Sequence, residues 1–298
     1  MPEGLKRASD YTPEHHAAAR AGLLHLATVL GDFLDDVMVV GGMVPGLITA
    51  TADDAMLGAH IGTTDVDIAL ALAVLDADRY REIAERMRRA GFHPDVNEAG
   101  NETVQRWVLA DSLRVTVDFL IPQAPAMPQP QRTHHHESDF GALVTMGLSA
   151  SMTSRVHITL QGRTLDGAEA MRTVWVCGPA GFVLLKALAF RNRGEGKDAY
   201  DLYYVLKCHD LGPIGIAHER QAMREDGLVA PDAIELAITT LREDFRRFEG
   251  LGPTSAAAFL ANGFEDEVRA DVVAHVATLL SGLEGGNHDD EPRAHRAS

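Results

Sequence analysis

Three aspartates carry the chemistry that can be read from this chain. In the stretch from Gly62 to Leu70, Asp65 and Asp67 alternate with the aliphatic Val66 and Ile68. At the period of a strand both acids leave on one face while the aliphatic residues enter a core on the other. Adjacent carboxylates at a strand end repel each other unless a cation lies between them. Mg²⁺ suits that place, because it is held by one or two carboxylates together with substrate phosphates. Arg114 to Ile121 reads as another apolar strand with one charge in its interior, Asp118. A charge there is costly to bury unless it is paired or bound to metal. A lone D-x-D more often marks a solvated strand end, but here it is joined by the isolated Asp118. On neighbouring strands, Asp65, Asp67 and Asp118 would hold two Mg²⁺ ions for an in-line phosphoryl or nucleotidyl displacement.

Other elements must position these acids. Val37 to Val40 run straight into Gly41 and Gly42, which reads as a buried strand ending in a tight turn. Met43 to Ala50 then starts a helix with Pro45 in its first turn, and the small, polar linker Thr51–Gly58 reads as a surface loop. Upstream, Thr12 caps a helix that carries Pro13 at its first position and ends at Gly31. Asp78 to Gly91 is an amphipathic helix whose Arg81, Arg86, Arg88 and Arg89 make a solvated face open to an RNA backbone. Strands near 103–109 and 113–121 form a hairpin turning at 110–112. The Pro-, Gln- and His-rich stretch 123–137 reads as a long loop. Its adjacent His134, His135 and His136 point in different directions and have no spaced partner, so no zinc site is expected. Further short strands fall at 143–146, 156–160 and 174–177, so the sheet is mixed.

Gly178 and Pro179 open an apolar helix in which Lys186 must either snorkel to the surface or meet an anion. Its removal is expected to leave stability near normal. Arg191 to Gly196 is a basic, Gly-containing turn suited to an anionic substrate. Asp198 and Asp201 then stand at the positive N-terminal end of a second buried helix. From 228 onward the pattern is helical, over 231–248, 255–260 and 265–283. Ile234, Ala237, Ile238, Leu241, Phe245 and Phe248 make one buried stripe of the first.

The order strand, Gly-Gly, helix, then T-x-D-x-D, then a strand with one Asp resembles the nucleotidyltransferase fold of the DNA polymerase beta superfamily. Within it, Lys186 to Arg191 followed by Lys197, Asp198 and Asp201 resembles the AbiEii toxin family of type IV toxin–antitoxin systems. The resemblance covers roughly residues 37 to 207. It implies an α+β fold: a nucleotidyltransferase-type mixed sheet with flanking helices, plus a helical C-terminal domain. It also implies transfer of a nucleoside monophosphate from an NTP, with release of pyrophosphate, to a tRNA acceptor end, and a partner antitoxin. Asp65 and Asp67 would hold both metals, with Asp118 sharing one, and Lys186 would contact the nucleotide phosphates with Arg191 or Arg193. Asp198 matches the family's essential acid, while Asp201 either shares the substrate or holds Arg191 or Arg193. The spacing from the glycines to Asp65 is longer than is usual in the superfamily, so Gly41 and Gly42 have Thr63 and Thr64 as alternative phosphate contacts.

Composition narrows the class. At 298 residues the chain can bury a large core. The domain boundaries read as 1–177 for a catalytic domain, 178–283 for a helical domain completing the cleft, and 284–298 for a disordered tail. No apolar run is expected to reach bilayer-spanning length, the N-terminus lacks a signal peptide's apolar segment, and Cys177 and Cys208 define no disulfide framework. The protein therefore reads as cytoplasmic, with no membrane partner. A formal net charge of −16 argues against a general nucleic-acid binder and requires any RNA contact to be a local basic surface. It favours, as the alternative acceptor, a small cationic hydroxylated molecule of the antibiotic type. A non-catalytic regulatory homologue would be expected to have lost one of the three aspartates.

Overall fold

The alternation of residues 115–122 sets the architecture. Val115, Val117, Phe119 and Ile121 are buried, while Asp118, Leu120 and Pro122 are only partly so. A strand with this period has one packed face and one face bordering something more open. The structure is a computed structural model. It describes residues 7–49, 56–62, 65–70, 77–97, 99–109, 114–123, 132–135, 140–223 and 232–285, with the backbone alone over 65–70.

In chain order the elements begin with α1 (Pro13–Leu30), β1 (Val37–Val40), α2 (Val44–Ile48), β2 (Asp65–Leu70) and α3 (Ala77–Arg89). Next come β3 (His93–Val96), β4 (Glu102–Leu109), β5 (Val115–Pro122), β6 (Thr133–His135), β7 (Gly141–Thr145), α4 (Leu148–Ser151), β8 (Arg155–Arg163) and β9 (Glu169–Cys177). The remainder is helical: α5 (Pro179–Arg193), α6 (Gly196–Cys208), α7 (Gly212–Ala222), α8 (Asp232–Asp244), α9 (Leu251–Leu260) and α10 (Glu265–Gly285). Among the described residues the strands form one nine-stranded sheet in the order β3-β4-β5-β2-β1-β9-β8, with β7 pairing to β5 and to β6. β1 runs antiparallel to β2, whereas β2 with β5 and β1 with β9 are parallel pairs. The fold is α+β, a mixed sheet with flanking helices and a helical C-terminal region, as expected.

α1 and α3 cover the apolar face. Gly22 lets α1 approach β5 so closely that a Cβ there would lie 2.7 Å from Val115 Cγ1. Tyr80 of α3 meets Phe140, which packs against Phe119 at 4.9 Å between ring centroids. α5 lies over the opposite face, and α6 behind it buries Tyr200, Tyr203 and Tyr204. α6 and α9 pack closely at Gly196, whose added Cβ would stand 2.8 Å from the Ser255 carbonyl.

Several expectations need correction. The segment 13–36 is, by length and composition, apolar enough to cross a bilayer, contrary to the expectation that no run is. Half of its most apolar 18-residue window is buried in this fold, with Leu23, Leu24, Leu26, Leu30 and Phe33 in the core. The His-rich stretch is not wholly loop: Thr133–His135 is a strand because its backbone pairs antiparallel with Gly141–Leu143. Of the linker expected as a surface loop, residues 51–55 lie outside the described residues; 56–58 is irregular, with Gly58 exposed and Leu57 turned into the core. The first C-terminal helix ends at Asp244, and Phe248 leaves the apolar stripe to lie exposed under the Arg269 guanidinium. β3 and α7 carried no expectation. Leu279 and Leu280 are buried and α10 continues to Gly285, two residues into the stretch expected as tail, whose remainder lies outside the described residues. The hairpin turn at 110–112 also lies outside them, though Leu109 and Val115 pair on either side.

Gly147, between β7 and α4, is where the sheet meets α5. Its φ is +79°, a left-handed value, and an added Cβ would stand 2.6 Å from Leu184 and 2.8 Å from Leu188. Gly147→Ala is therefore expected to destabilise the fold by about 1–3 kcal/mol from overpacking, with backbone strain in addition. Chemical denaturation checks this, and an unchanged midpoint would mean that the contact is not close.

Candidate active site

The central strands set the expected acids at defined levels. Val40, the last residue of β1, is the register partner of Asp67, and Asp67 is in turn the partner of Asp118 on β5. Asp65 stands opposite the buried Thr116. Gly41 follows Val40 with φ +83°, which turns the chain at that level, and Gly42 is buried behind it. Thr63 and Thr64 lie outside the described residues. Gly41 and Asp118 border a cleft of about 250 Å³ between the strand ends and α5.

α5 presents two edges to this cleft. Leu185 and Leu188 form an apolar edge, and Lys186 and Arg193, seven positions apart, form a cationic one. Thr145 and Met146 close the side beyond β7. The sheet opens where it does because β4 stops pairing with β5 at Arg106, opposite Asp118, and β7 takes over at Leu120.

Asp118 is not a lone charge. Arg106 grips it with two hydrogen bonds, Nε to Oδ1 at 2.6 Å and Nη2 to Oδ2. The sequence reading missed Arg106, although its position in a strand antiparallel to that of Asp118 was the available signal.

Lys186 neither snorkels nor stands free. Its Nζ lies 2.8 Å from Asp198 Oδ1 and 2.9 Å from Asp201 Oδ2, both carboxylates being shielded from solvent. Arg193 donates to Asp198 through Nε at 2.6 Å and Nη2 at 2.8 Å, so Asp198, not Asp201, holds that arginine. Asp201 instead takes Lys197 Nζ at 2.8 Å and His60 Nε2 at 2.9 Å. Arg191, expected at the substrate, turns away and meets Glu243 at 3.0 Å. Lys197 and His60 are the members of this network that sequence reasoning did not assign. The first sits one turn from Asp201 on the same helix, but nothing in the linker sequence singles out the second.

The electrostatics follow from burial. Burial presses Lys186 toward neutrality, but Asp198 and Asp201 overcome this and hold its pKa above the ordinary lysine value. Burial would raise both carboxylates, yet Lys186 with Arg193 at Asp198, and Lys186 with Lys197 at Asp201, bring them below the ordinary range. Lys197 is lowered, burial outweighing its bond to Asp201. Burial likewise lowers His60 to about 4 against the attraction of Asp201. Lys186, Arg193 and Lys197 thus meet the buried Asp198 and Asp201 and a neutral imidazole, and on the solvent side Arg193 also has Glu195 at 3.7 Å, so cations and carboxylates balance beside the cleft.

Among the described residues no group of three or more His, Cys, Asp or Glu side chains is placed to hold a metal. The side chains of Asp65 and Asp67 fall outside that set. The site is thus defined by Asp118, level in register with Asp67 on the adjacent strand, bordering a small cleft whose other side is the cationic edge of α5. No protein-family model matches the chain, and no curated protein does. Among solved structures it is similar to an antigenic nucleotidyltransferase-like protein from Paracoccidioides brasiliensis. That likeness has 14% sequence identity and a TM-score of 0.37, over 92% of this chain and 94% of that one.

Two outcomes follow from the network. Lys186→Met, expected from sequence to be nearly neutral for folding, should instead cost about 3 kcal/mol, near the low end for a broken buried pair because Arg193 and Lys197 remain. A denaturation midpoint within error of the parent would contradict that. His60 gives a pH dependence. Above about pH 6.5 the imidazole is neutral in both folded and unfolded chains. Between there and about 4 the unfolded chain takes up a proton that the folded one refuses, so stability falls as pH falls through this window. Denaturation at pH 7 and pH 4.5 should show an acid loss about 2–3 kcal/mol smaller in His60→Phe than in the parent.

Proposed function

We propose that the protein is a nucleotidyltransferase that moves a nucleoside monophosphate from an NTP to an acceptor hydroxyl, releasing pyrophosphate. The observation that carries this reading is the level ladder of Val40, Asp67 and Asp118, with Gly41 beside it and the cationic edge of α5 across the cleft. Asp65, Asp67 and Asp118 would hold Mg²⁺, for which an oxygen-only donor set is suited. When bound, Mg²⁺ neutralises the phosphates and lowers the pKa of the attacking hydroxyl. Arg193, half-exposed at the cleft, would bind the triphosphate, and Lys186 would add its charge from the wall. Leu185 and Leu188 offer an apolar shelf for the base, and Gly41 lets the chain approach the phosphates without a side chain between.

The sequence resemblance supports a tRNA acceptor end as substrate and a cognate antitoxin as partner. The charge distribution favours the second acceptor, a small cationic hydroxylated molecule. The arginine row of α3 does not present bare charge: Arg81 pairs with Asp78, Arg86 with Asp32 and Glu82, and Arg89 with Glu85. With Arg191 on Glu243, the two segments expected to form a basic RNA surface are largely neutralised.

Incubation with each labelled NTP and either total RNA or an aminoglycoside panel, with and without Mg²⁺, separates the readings. Label should move to an acceptor only with Mg²⁺ present. Asp67→Asn should lower the rate by more than about a hundredfold, beyond what outer-shell partners of a metal usually cost. A wild-type rate in that variant would remove the acidic ladder from the reaction.

A further inference from the structure

The segment Met56–Gly62 joins the region after α2 to the start of β2, and it is fastened to the helical region along its length. Asn262 Nδ2 donates to the Met56 carbonyl at 3.1 Å, and Tyr204 Oη donates to the Gly58 carbonyl at 3.2 Å. The Ile61 N–H donates to Tyr200 Oη at 3.0 Å. His60 lies between them. Its ring stacks on Tyr200 at 5.5 Å with 12° between planes and meets Tyr204 edge-on at 4.9 Å. Its side chain is 2% exposed, and its Nε2 reaches Asp201 at 2.9 Å.

An ionised carboxylate only accepts, so the imidazole proton sits on Nε2 and the lone pair on Nδ1. Nδ1 is buried without a hydrogen-bond partner. Asp201 already has Lys186 and Lys197, so a neutral third donor adds little to its charge balance. What the His60 bond adds is position. It links Asp201, whose other partner Lys186 lines the cleft, to a point five residues before Asp65.

We propose that His60 is a positioning residue of the transfer site: through Asp201 it fixes where the chain enters β2, and so sets Asp65 and Asp67 against the Lys186 wall. This rests on the nucleotidyl-transfer reading. His60→Phe keeps the ring contacts and places carbon at the unpaired Nδ1, so it removes chiefly the Asp201 bond. His60→Gln restores an amide donor toward Asp201. Both are to be compared with the parent at a temperature where circular dichroism shows each fully folded.

In His60→Phe, kcat should fall about a hundredfold, as for a misplaced reacting group, with KM for the NTP within about twofold. Hydrogen exchange at the amides of 65–70 should speed up by at least about tenfold. His60→Gln should recover most of both losses. Parental exchange over 65–70 in His60→Phe overturns the proposal, whether or not kcat falls, and so does a parental kcat. If the parent transfers label to no acceptor, the transfer reading falls on its own, while the exchange measurement still decides whether His60 fixes β2.

Discussion

An ionised carboxylate wholly withdrawn from water is the constraint on which the helical side of this molecule depends. Asp201 has no exposed surface, so every lone pair it offers must be answered from inside the protein. The answers come from three parts of the chain: Lys186 on α5, Lys197 on α6 itself, and His60 ahead of β2. Apolar residues of similar volume would hold these elements together at least as well, since desolvating ions offsets most of their mutual attraction. What ions add is direction. A hydrophobic contact tolerates sliding, whereas an ammonium between two carboxylates at 2.8 and 2.9 Å does not.

The same network bears on the charge of the protein. A chain of net charge −16 repels an anionic substrate at long range, so any site for one must be locally positive. Sequence placed the local charge on arginine-rich stretches. In the fold most of those arginines are spent on neighbouring carboxylates, and the cations at the cleft, Lys186 and Arg193, are themselves held by Asp198, Asp201 and Glu195. A low-dielectric wall makes each of those charges act more strongly than the same charge on a solvated helix.

The fold was legible where periodicity was strong. β1, β2, β5, α1, α3, α5 and α10 announce themselves through alternation, caps and apolar stripes, because burial imposes those patterns on the sequence. β3 carries a proline at an edge, and β6 is held by backbone pairing alone, so neither shows a pattern. At the site, Asp65, Asp67, Asp118, Lys186 and Asp198 stand out as charges in apolar surroundings. Their partners do not, since pairing depends on register and on the path of the chain. Arg106 meets Asp118 across a sheet, and His60 meets Asp201 across 141 positions of sequence. Arg191 misled for the same reason: a basic turn fixes the charge but not the direction in which it points.

Arg106 bears on what the proposed metal would demand of the fold. Asp67 and Asp118 occupy one level on adjacent parallel strands, an arrangement in which two ionised groups need a cation. For Asp118 the chain supplies that cation itself, with both oxygens held by a guanidinium. The strand bearing Asp118 can therefore form and pack without an ion, its core side chains Val117, Phe119 and Ile121 supplying the driving force. A metal entering beside Asp118 has to share a carboxylate that is already engaged. Because Arg106 is partly exposed, it can give up one of its two bonds and keep the other while remaining solvated. Dependence on Mg²⁺ would then be a property of the reaction, and the stability of the sheet would stay independent of it.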